Sequence, residues 1–150
     1  MFEPLALHGG KKTVEKQFPW PIFDESDVAA VADVVRKGEW GDPNCAGEVK
    51  RFEEEFAAFN GAKHALAIAN GSVALRIALL ASGVEPGDEV VVTPYAFYAT
   101  ASIVVEANCV PVFADIDPET YCIDPARIEE VMTPRTRAII PVHFAGQACD

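Results

Sequence analysis

The sequence lacks several features that mark particular classes of protein. Its 12 lysines and arginines stand against 23 aspartates and glutamates, and the formal net charge is −11. No basic run stands out, which argues against nucleic acid or an anionic membrane as a partner. No apolar stretch reaches the roughly 18 residues that a membrane span requires. The first residues, MFEPLALHGGKK, do not have the order of a signal peptide.

Cysteine and histidine are sparse and widely spaced. The 4 cysteines contain no CxxC pair and the 3 histidines lie far apart, so the sequence does not predict a metal site. With no export signal, we expect reduced thiols and a cytoplasmic location. The glycine motif GxGxxG and the Walker A motif are also missing, which disfavours binding of dinucleotides and of nucleoside triphosphates in a P-loop.

The residues that are present have the composition of a globular domain, since 50% of them are hydrophobic and 23% are charged. Helical patterns alternate with short runs that are apolar throughout. Such runs are typical of a parallel sheet buried on both faces, so we predict an α/β domain with a largely parallel sheet and flanking helices. The predicted strands are His64–Ala69, Glu89–Thr93, Val110–Ile116 and Arg137–Val142, and the predicted helices run from Ser26, as N-cap, to Gly38, and over about 48–60, 72–82, 97–107 and 124–132.

Three features bear on the organisation of the chain. Residues 1–22 hold three prolines and no clear pattern, so we predict an extended arm there and the domain over 23–150. The last strand is not followed by the helix that should return from it. We therefore expect an incomplete domain, either because the chain is part of a longer protein or because another subunit covers the gap. The second helix carries an apolar stripe that we expect to pack into the core, formed by Val49, Phe52, Phe56 and Phe59.

Open α/β sheets bind ligands at the carboxyl ends of their strands, and the first such end is Asn70-Gly71-Ser72-Val73. Gly71 lets the backbone turn tightly, Ser72 offers a hydroxyl, and the first free N–H groups of the next helix point outward. This combination suits a phosphate. The alternative is that Ser72 only caps the helix, as serine does at many strand-to-helix junctions that bind nothing.

Two further strand ends carry residues of types that can bind a ligand or take part in catalysis. Tyr95, Phe97 and Tyr98 follow the second strand, and one of these rings can stack on a flat aromatic ligand or pack against a neighbouring helix. His143 follows the fourth strand. It can act as an acid, a base or a hydrogen-bond donor, or it can simply tie its loop down.

Taken in order, these segments resemble the sugar aminotransferases of the DegT/DnrJ/StrS type, which depend on pyridoxal 5'-phosphate (PLP). ANGSVALRIALLASGVEPGDEVVV is similar to the family's phosphate turn and the strand after it, and TPYAFYATASI is similar to its TPxTFxATAxA segment. CVPVFADIDPETYCIDPARIEEVMTPRTRAIIPVHFAGQACD is close to the family pattern throughout. The resemblance extends from about Phe18 to Asp150.

The resemblance implies the large domain of a fold-type-I PLP enzyme, similar to aspartate aminotransferase. The cofactor-binding residues that it implies are Gly71, Ser72 and the N–H of Val73 for the phosphate, and Phe97 for stacking on the pyridine ring. Tyr98 is the alternative for stacking. Trp40 matches a region that lines the substrate pocket.

The resemblance also places the Schiff-base lysine, and the aspartate that pairs with the pyridine nitrogen, beyond Asp150. We therefore expect no catalytic residue in this chain, and no complete transamination by it alone. A homodimer is implied. The implied reaction moves an amino group from glutamate or glutamine to a keto sugar, a nucleotide-linked sugar or a cyclitol ketone. Two alternatives stay open: a PLP-dependent sugar dehydratase on the same scaffold, and a non-catalytic α/β binding or assembly module.

Overall fold

The structure is a computed structural model that describes residues 4–14, 16, 19–38 and 47–150. Contacts divide the chain into two units, Met1–Ala65 and Leu66–Asp150. The described residues form α-helices, a parallel sheet and two short 3-10 turns. The helices are α1 (Glu25–Lys37), α2 (Gly47–Phe59), α3 (Gly71–Ala81), α4 (Ala99–Glu106) and α5 (Pro125–Val131); the strands are β1 (Glu89–Val92), β2 (Val110–Phe113) and β3 (Thr136–Ile140); the 3-10 turns are Ala6–His8 and Phe144–Gly146.

Helix α1 begins two residues earlier than the sequence pattern predicts, because Asp24 and not Ser26 is the N-cap. The Asp24 carboxylate accepts the N–H of Ser26, and the Asp27 side chain accepts the N–H of Asp24, which completes a capping box. Gly38 ends the helix in the left-handed conformation, with φ +72°, as predicted. The predicted division between arm and domain after residue 22 stays a prediction.

The apolar stripe of α2 does not enter a core within the described residues, so that prediction was wrong for this part of the chain. Phe52 and Phe56 stack on each other with their ring centroids 5.5 Å apart, yet they are 54% and 50% exposed. Of the described α2 residues only Ala57 is buried. The helical spacing correctly predicts which side of α2 is apolar, but spacing carries no information on what covers that side.

The sheet of the second unit has the order β2–β1–β3, and both neighbouring pairs are parallel. The central strand β1 is buried along its whole length. Its side chains alternate between two faces, so Val90 and Val92 join one apolar cluster while Val91 joins another. The first cluster includes side chains of α3 and α4, and the second includes Ile128 and Val131 of α5. Helices thus cover both faces, and the prediction of an α/β domain with a largely parallel sheet is confirmed.

One predicted strand is not formed. The run His64–Ala69 is not a strand, and Leu66 within it is 69% exposed. A strand requires a neighbouring strand to bond with, and the described sheet does not include this segment. An apolar run identifies a segment that is able to pair, but it does not supply the partner.

At the amino end of the sheet, Glu89 is buried, with only 4% of its surface exposed. Its carboxylate accepts hydrogen bonds from the Thr133 hydroxyl and the Arg135 guanidinium. These contacts hold the pKa of Glu89 below its ordinary value, with the Thr133 bond as the largest cause and burial opposing it. The hydrogen-bonded ion pair of Glu89 and Arg135 thereby anchors the segment before β3 to β1.

Candidate functional site

The amino end of α3 is built by the residue before it. Asn70 is extended, and its side-chain Oδ1 accepts the N–H of Val73 at 3.0 Å, while its carbonyl accepts the N–H of Ala74 at the same distance. Asn70 is therefore the N-cap. The sequence signal was present, since asparagine is among the strongest N-cap residues, but we assigned the capping alternative to Ser72.

This cap leaves two backbone donors open. The N–H groups of Gly71 and Ser72 have no hydrogen-bond partner among the described residues. A Cβ placed on Gly71 would meet no atom within 4 Å, so the space in front of this turn is open. The N–H of Val73 can reach a ligand only if the Asn70 side chain releases it. Of the three predicted phosphate donors, two are thus free and one is engaged.

The amino end of α3 lies at the ligand-binding edge of the sheet. A short turn after residue 82 joins α3 to β1, so the helix runs back antiparallel to the strand and begins near the strand's carboxyl end. Leu75, in the first half of α3, packs on the same cluster as Ile140, the last residue of β3. The free N–H groups of α3 therefore lie at the edge where parallel sheets bind their ligands. The positive end of the helix dipole lies at the same place and favours a negatively charged group.

The aromatic residues after β1 divide into two groups. Tyr95 packs with aromatic residues of other loops: its ring centroid lies 4.6 Å from that of Phe144 and 5.8 Å from that of Tyr121. Phe97 contacts Tyr98 at 4.4 Å and is 67% exposed. Because Tyr95 packs against other loops while Phe97 leaves most of its surface open, Phe97 is the better platform for a flat ligand.

The loop after β3 is fixed by bonds from both of its ends. The Cys149 N–H donates to His143 Nδ1 at 3.1 Å, and the Cys149 thiol donates to the Val142 carbonyl at 3.1 Å. Burial, with the neighbouring Cys122 thiol as a smaller cause, raises the pKa of Cys149. Burial also raises the pKa of Cys109. A thiol that stays protonated at neutral pH is a poor nucleophile, so these cysteines pack and donate.

Neither a metal-binding cluster nor a membrane-spanning helix is found in the described part of the chain. No group of three or more histidine, cysteine, aspartate or glutamate residues there is placed to hold a metal ion. None of the helices described combines the length and the apolar character that crossing a bilayer takes. Trp40, predicted to line a substrate pocket, lies outside the described residues, and its role stays a prediction.

The sequence profile of the DegT/DnrJ/EryC1/StrS aminotransferase family matches residues 21–150. Spore coat polysaccharide biosynthesis protein SpsC of Bacillus subtilis is 45% identical over 130 residues, which are 87% of this chain and 33% of that protein. L-glutamine:2-deoxy-scyllo-inosose aminotransferase of Streptomyces paromomycinus is 38% identical over 149 residues, 96% of this chain and 35% of that protein. The chain thus spans about a third of the length of these curated relatives.

Solved structures agree with this match in three dimensions. The crystal structure of 3-amino-5-hydroxybenzoic acid synthase superposes with a TM-score of 0.84 at 40% identity, over 89% of this chain and 35% of that one. NtdA of Bacillus subtilis, crystallised with bound cofactor PMP, superposes with a TM-score of 0.80 at 32% identity, over 93% of this chain and 34% of that one. The fold described here is therefore the fold of the corresponding third of these enzymes.

Proposed function

Because the chain belongs to the DegT/DnrJ/EryC1/StrS aminotransferase family, we propose that the full-length protein transfers an amino group from glutamate or glutamine to a ketone. The ketone would be carried by a sugar, a nucleotide-linked sugar or a cyclitol. The relative from Streptomyces paromomycinus, whose name gives L-glutamine and 2-deoxy-scyllo-inosose, supports both the donor and the cyclitol class.

The observation that carries this proposal is the pair of free N–H groups at the amino end of α3. PLP presents a phosphate and a flat ring, and the described residues fit both parts. Gly71 and Ser72 would hold the phosphate through their N–H groups and the Ser72 hydroxyl, with the helix dipole favouring its charge. Phe97, mostly exposed, would support the ring. When bound, PLP supplies the aldehyde and the electron-withdrawing ring that amino transfer requires.

The residues of this chain would then act by binding and orientation. Two backbone donors and one aromatic face fix the two ends of the same ligand, so the ring has one plane in which to lie. Orientation of this kind lowers the entropic cost of the reaction. We propose that the lysine that performs the covalent chemistry lies outside these 150 residues. The share of the relatives that the chain spans, about a third, supports this.

The proposal is tested on the full-length protein. PLP is titrated into protein prepared without cofactor, absorbance near the visible edge is followed, and glutamine is added with 2-deoxy-scyllo-inosose as the probe ketone. We expect saturable uptake of PLP, a donor-dependent change of the band, and an amine product by mass spectrometry. Protein that stays colourless and takes up no PLP contradicts the proposal and indicates a binding module. Loss of water from the sugar without gain of nitrogen contradicts it in favour of a dehydratase.

Two finer points belong to the same proposal. We propose a homodimer, which the exposed stripe of α2 supports, because exposed apolar surface of this kind marks a face that another element covers. We also propose a cytoplasmic location. The free thiols of Cys109, Cys122 and Cys149 support a reducing compartment.

A further inference from the structure

His143 is held in one tautomer by a backbone contact. Its Nδ1 accepts the N–H of Cys149 at 3.1 Å, and a ring nitrogen that accepts a hydrogen bond carries no proton. The ring proton therefore lies on Nε2. The residue is exposed, and Nε2 has no hydrogen-bond partner among the described residues. The fold thus fixes a donor, Nε2–H, that it does not itself use.

The loop that carries His143 is held by two thiol hydrogen bonds and contains one unfavourable backbone conformation. The Cys149 thiol donates to the Val142 carbonyl at 3.1 Å, and the Cys122 thiol donates to the Gln147 carbonyl at 3.4 Å. Ala145 adopts φ +50°, a left-handed conformation that is unfavourable for a residue with a side chain. Such strain persists only where the surroundings impose it, and it is concentrated at functional sites.

This loop contacts the loop of the proposed cofactor site. Strand β3 is the direct neighbour of β1, and the two strands are parallel, so both loops leave the sheet at the same edge. The Phe144 ring lies 4.6 Å from the Tyr95 ring between centroids. Phe144 is next to His143, and Tyr95 is two residues before Phe97. The free donor of His143 is therefore presented from the element that packs against the Phe97 loop.

We propose that His143 is a ligand-binding donor, whose Nε2–H bonds to an oxygen of the molecule seated beside Phe97. That oxygen belongs either to a substituent of PLP or to a carbonyl or hydroxyl of the ketone substrate. The proposal rests on the proposed function. It goes further by assigning His143 a contact with the ligand, where a loop-tying role would engage Nδ1 alone.

Two amide variants separate the two nitrogens of the ring. In His143→Asn the side-chain oxygen can replace Nδ1 as acceptor for Cys149, but nothing reaches the position of Nε2. In His143→Gln the longer side chain can place an N–H near the position of Nε2, but the acceptor for Cys149 is lost. His64, an exposed histidine outside the proposed site, provides the matched controls His64→Asn and His64→Gln.

The variants are made in the full-length protein and compared by PLP affinity, by kcat and KM with glutamine and 2-deoxy-scyllo-inosose, and by melting temperature. We expect His143→Asn to melt like the wild type, yet to lose about tenfold in one binding step, the size of one neutral hydrogen bond. His143→Gln should recover most of that loss. A weaker PLP affinity identifies the cofactor as the partner, and a higher KM with unchanged PLP affinity identifies the substrate.

The opposite order of the two variants overturns the proposal. If His143→Asn behaves like the wild type while His143→Gln is defective, the ring only ties its loop. If His143→Gln shows no recovery, or neither variant differs from the His64 controls, the donor has no ligand. Failure of the proposed function is seen separately, in a wild-type protein that binds no PLP, and it overturns this proposal as well.

Discussion

The two units of the chain differ in how far the apolar side chains of their patterned elements are buried. In the second unit Val90, Val91 and Val92 have 0% of their surface exposed, because helices cover both faces of their strand. In the first unit Phe52 and Phe56 lie on an equally well-patterned helix and are half exposed. The sequence pattern predicts the element in both cases, a strand for Val90–Val92 and a helix for α2. Burial depends on a second surface, which the described chain provides for the sheet and not for α2.

The largest expected effect comes from the buried face of α4. Ile103 is 1% exposed, and Ile103→Ala should lower the free energy of unfolding by about 2–5 kcal/mol, from lost burial and from the cavity it leaves. Val105 on the same helix is 59% exposed, and Val105→Ala should change it by less than about 0.5 kcal/mol. Urea denaturation measures both. Equal losses of unfolding free energy in the two variants would contradict the stated difference between the buried and the exposed side of α4.

The second effect concerns the ligand-binding edge. Ser72→Ala combined with Phe97→Ala should weaken PLP binding by about ten- to a hundredfold in the full-length protein, because a phosphate contact and a stacking face are lost. The melting temperature of the PLP-free protein should stay close to that of the wild type, since Phe97 is 67% exposed.

Tyr98→Ala is the control for this pair, because Tyr98 is the alternative stacking residue. A titration that gives equal PLP affinity for the wild type and the double variant contradicts both site assignments. A larger loss in Tyr98→Ala than in Phe97→Ala moves the stacking role to Tyr98.

The third prediction tests whether the α2 stripe is covered in the full-length protein. Phe56→Ala should then lower the free energy of unfolding by about 1.5–3 kcal/mol, the value of burying a phenylalanine side chain. Lys50→Ala, at an exposed position of the same helix, is the control. A loss that grows as protein concentration rises from the dilute limit identifies a second copy as the cover, because the weakened contact acts only where copies associate. A loss no larger than that of Lys50→Ala shows that the stripe stays in solvent.

The smallest effect is a pH dependence at Glu89. The Thr133 and Arg135 contacts keep its pKa in the folded protein below its ordinary value of 4.5, so the carboxylate stabilises the fold above that pH. This contribution is lost as pH falls through the folded-state pKa. The melting temperature of the wild type should therefore fall more steeply between about pH 5 and about pH 3 than that of Glu89→Gln. Parallel curves for the two proteins would contradict the assignment.

The features that the sequence predicted well are those fixed by neighbouring residues. The run Val90–Val92 identifies a buried strand by itself, and Asp124-Pro125 opens α5 because proline fits the first helical position. The glycine at 38 ends α1 for the same local reason.

The predictions that were wrong depend on partners. Among the described residues, no strand pairs with His64–Ala69 although it has the composition of a strand, and the α2 stripe is not buried. At the candidate site, Gly71, Ser72 and Phe97 follow from the strand–turn–helix pattern and the resemblance. The Asn70 bond that engages Val73 was missed, because two good caps stand two residues apart and only their geometry decides between them.

The central claim is that the amino end of α3 binds the phosphate of a ligand whose ring lies on Phe97. A crystal structure of the full-length protein grown with PLP tests it most directly. We expect the phosphate oxygens within about 3 Å of the Gly71 and Ser72 nitrogens, at ordinary hydrogen-bond distance, and the pyridine ring against the face of Phe97. A PLP molecule bound elsewhere, or this corner filled by protein side chains, would contradict the claim.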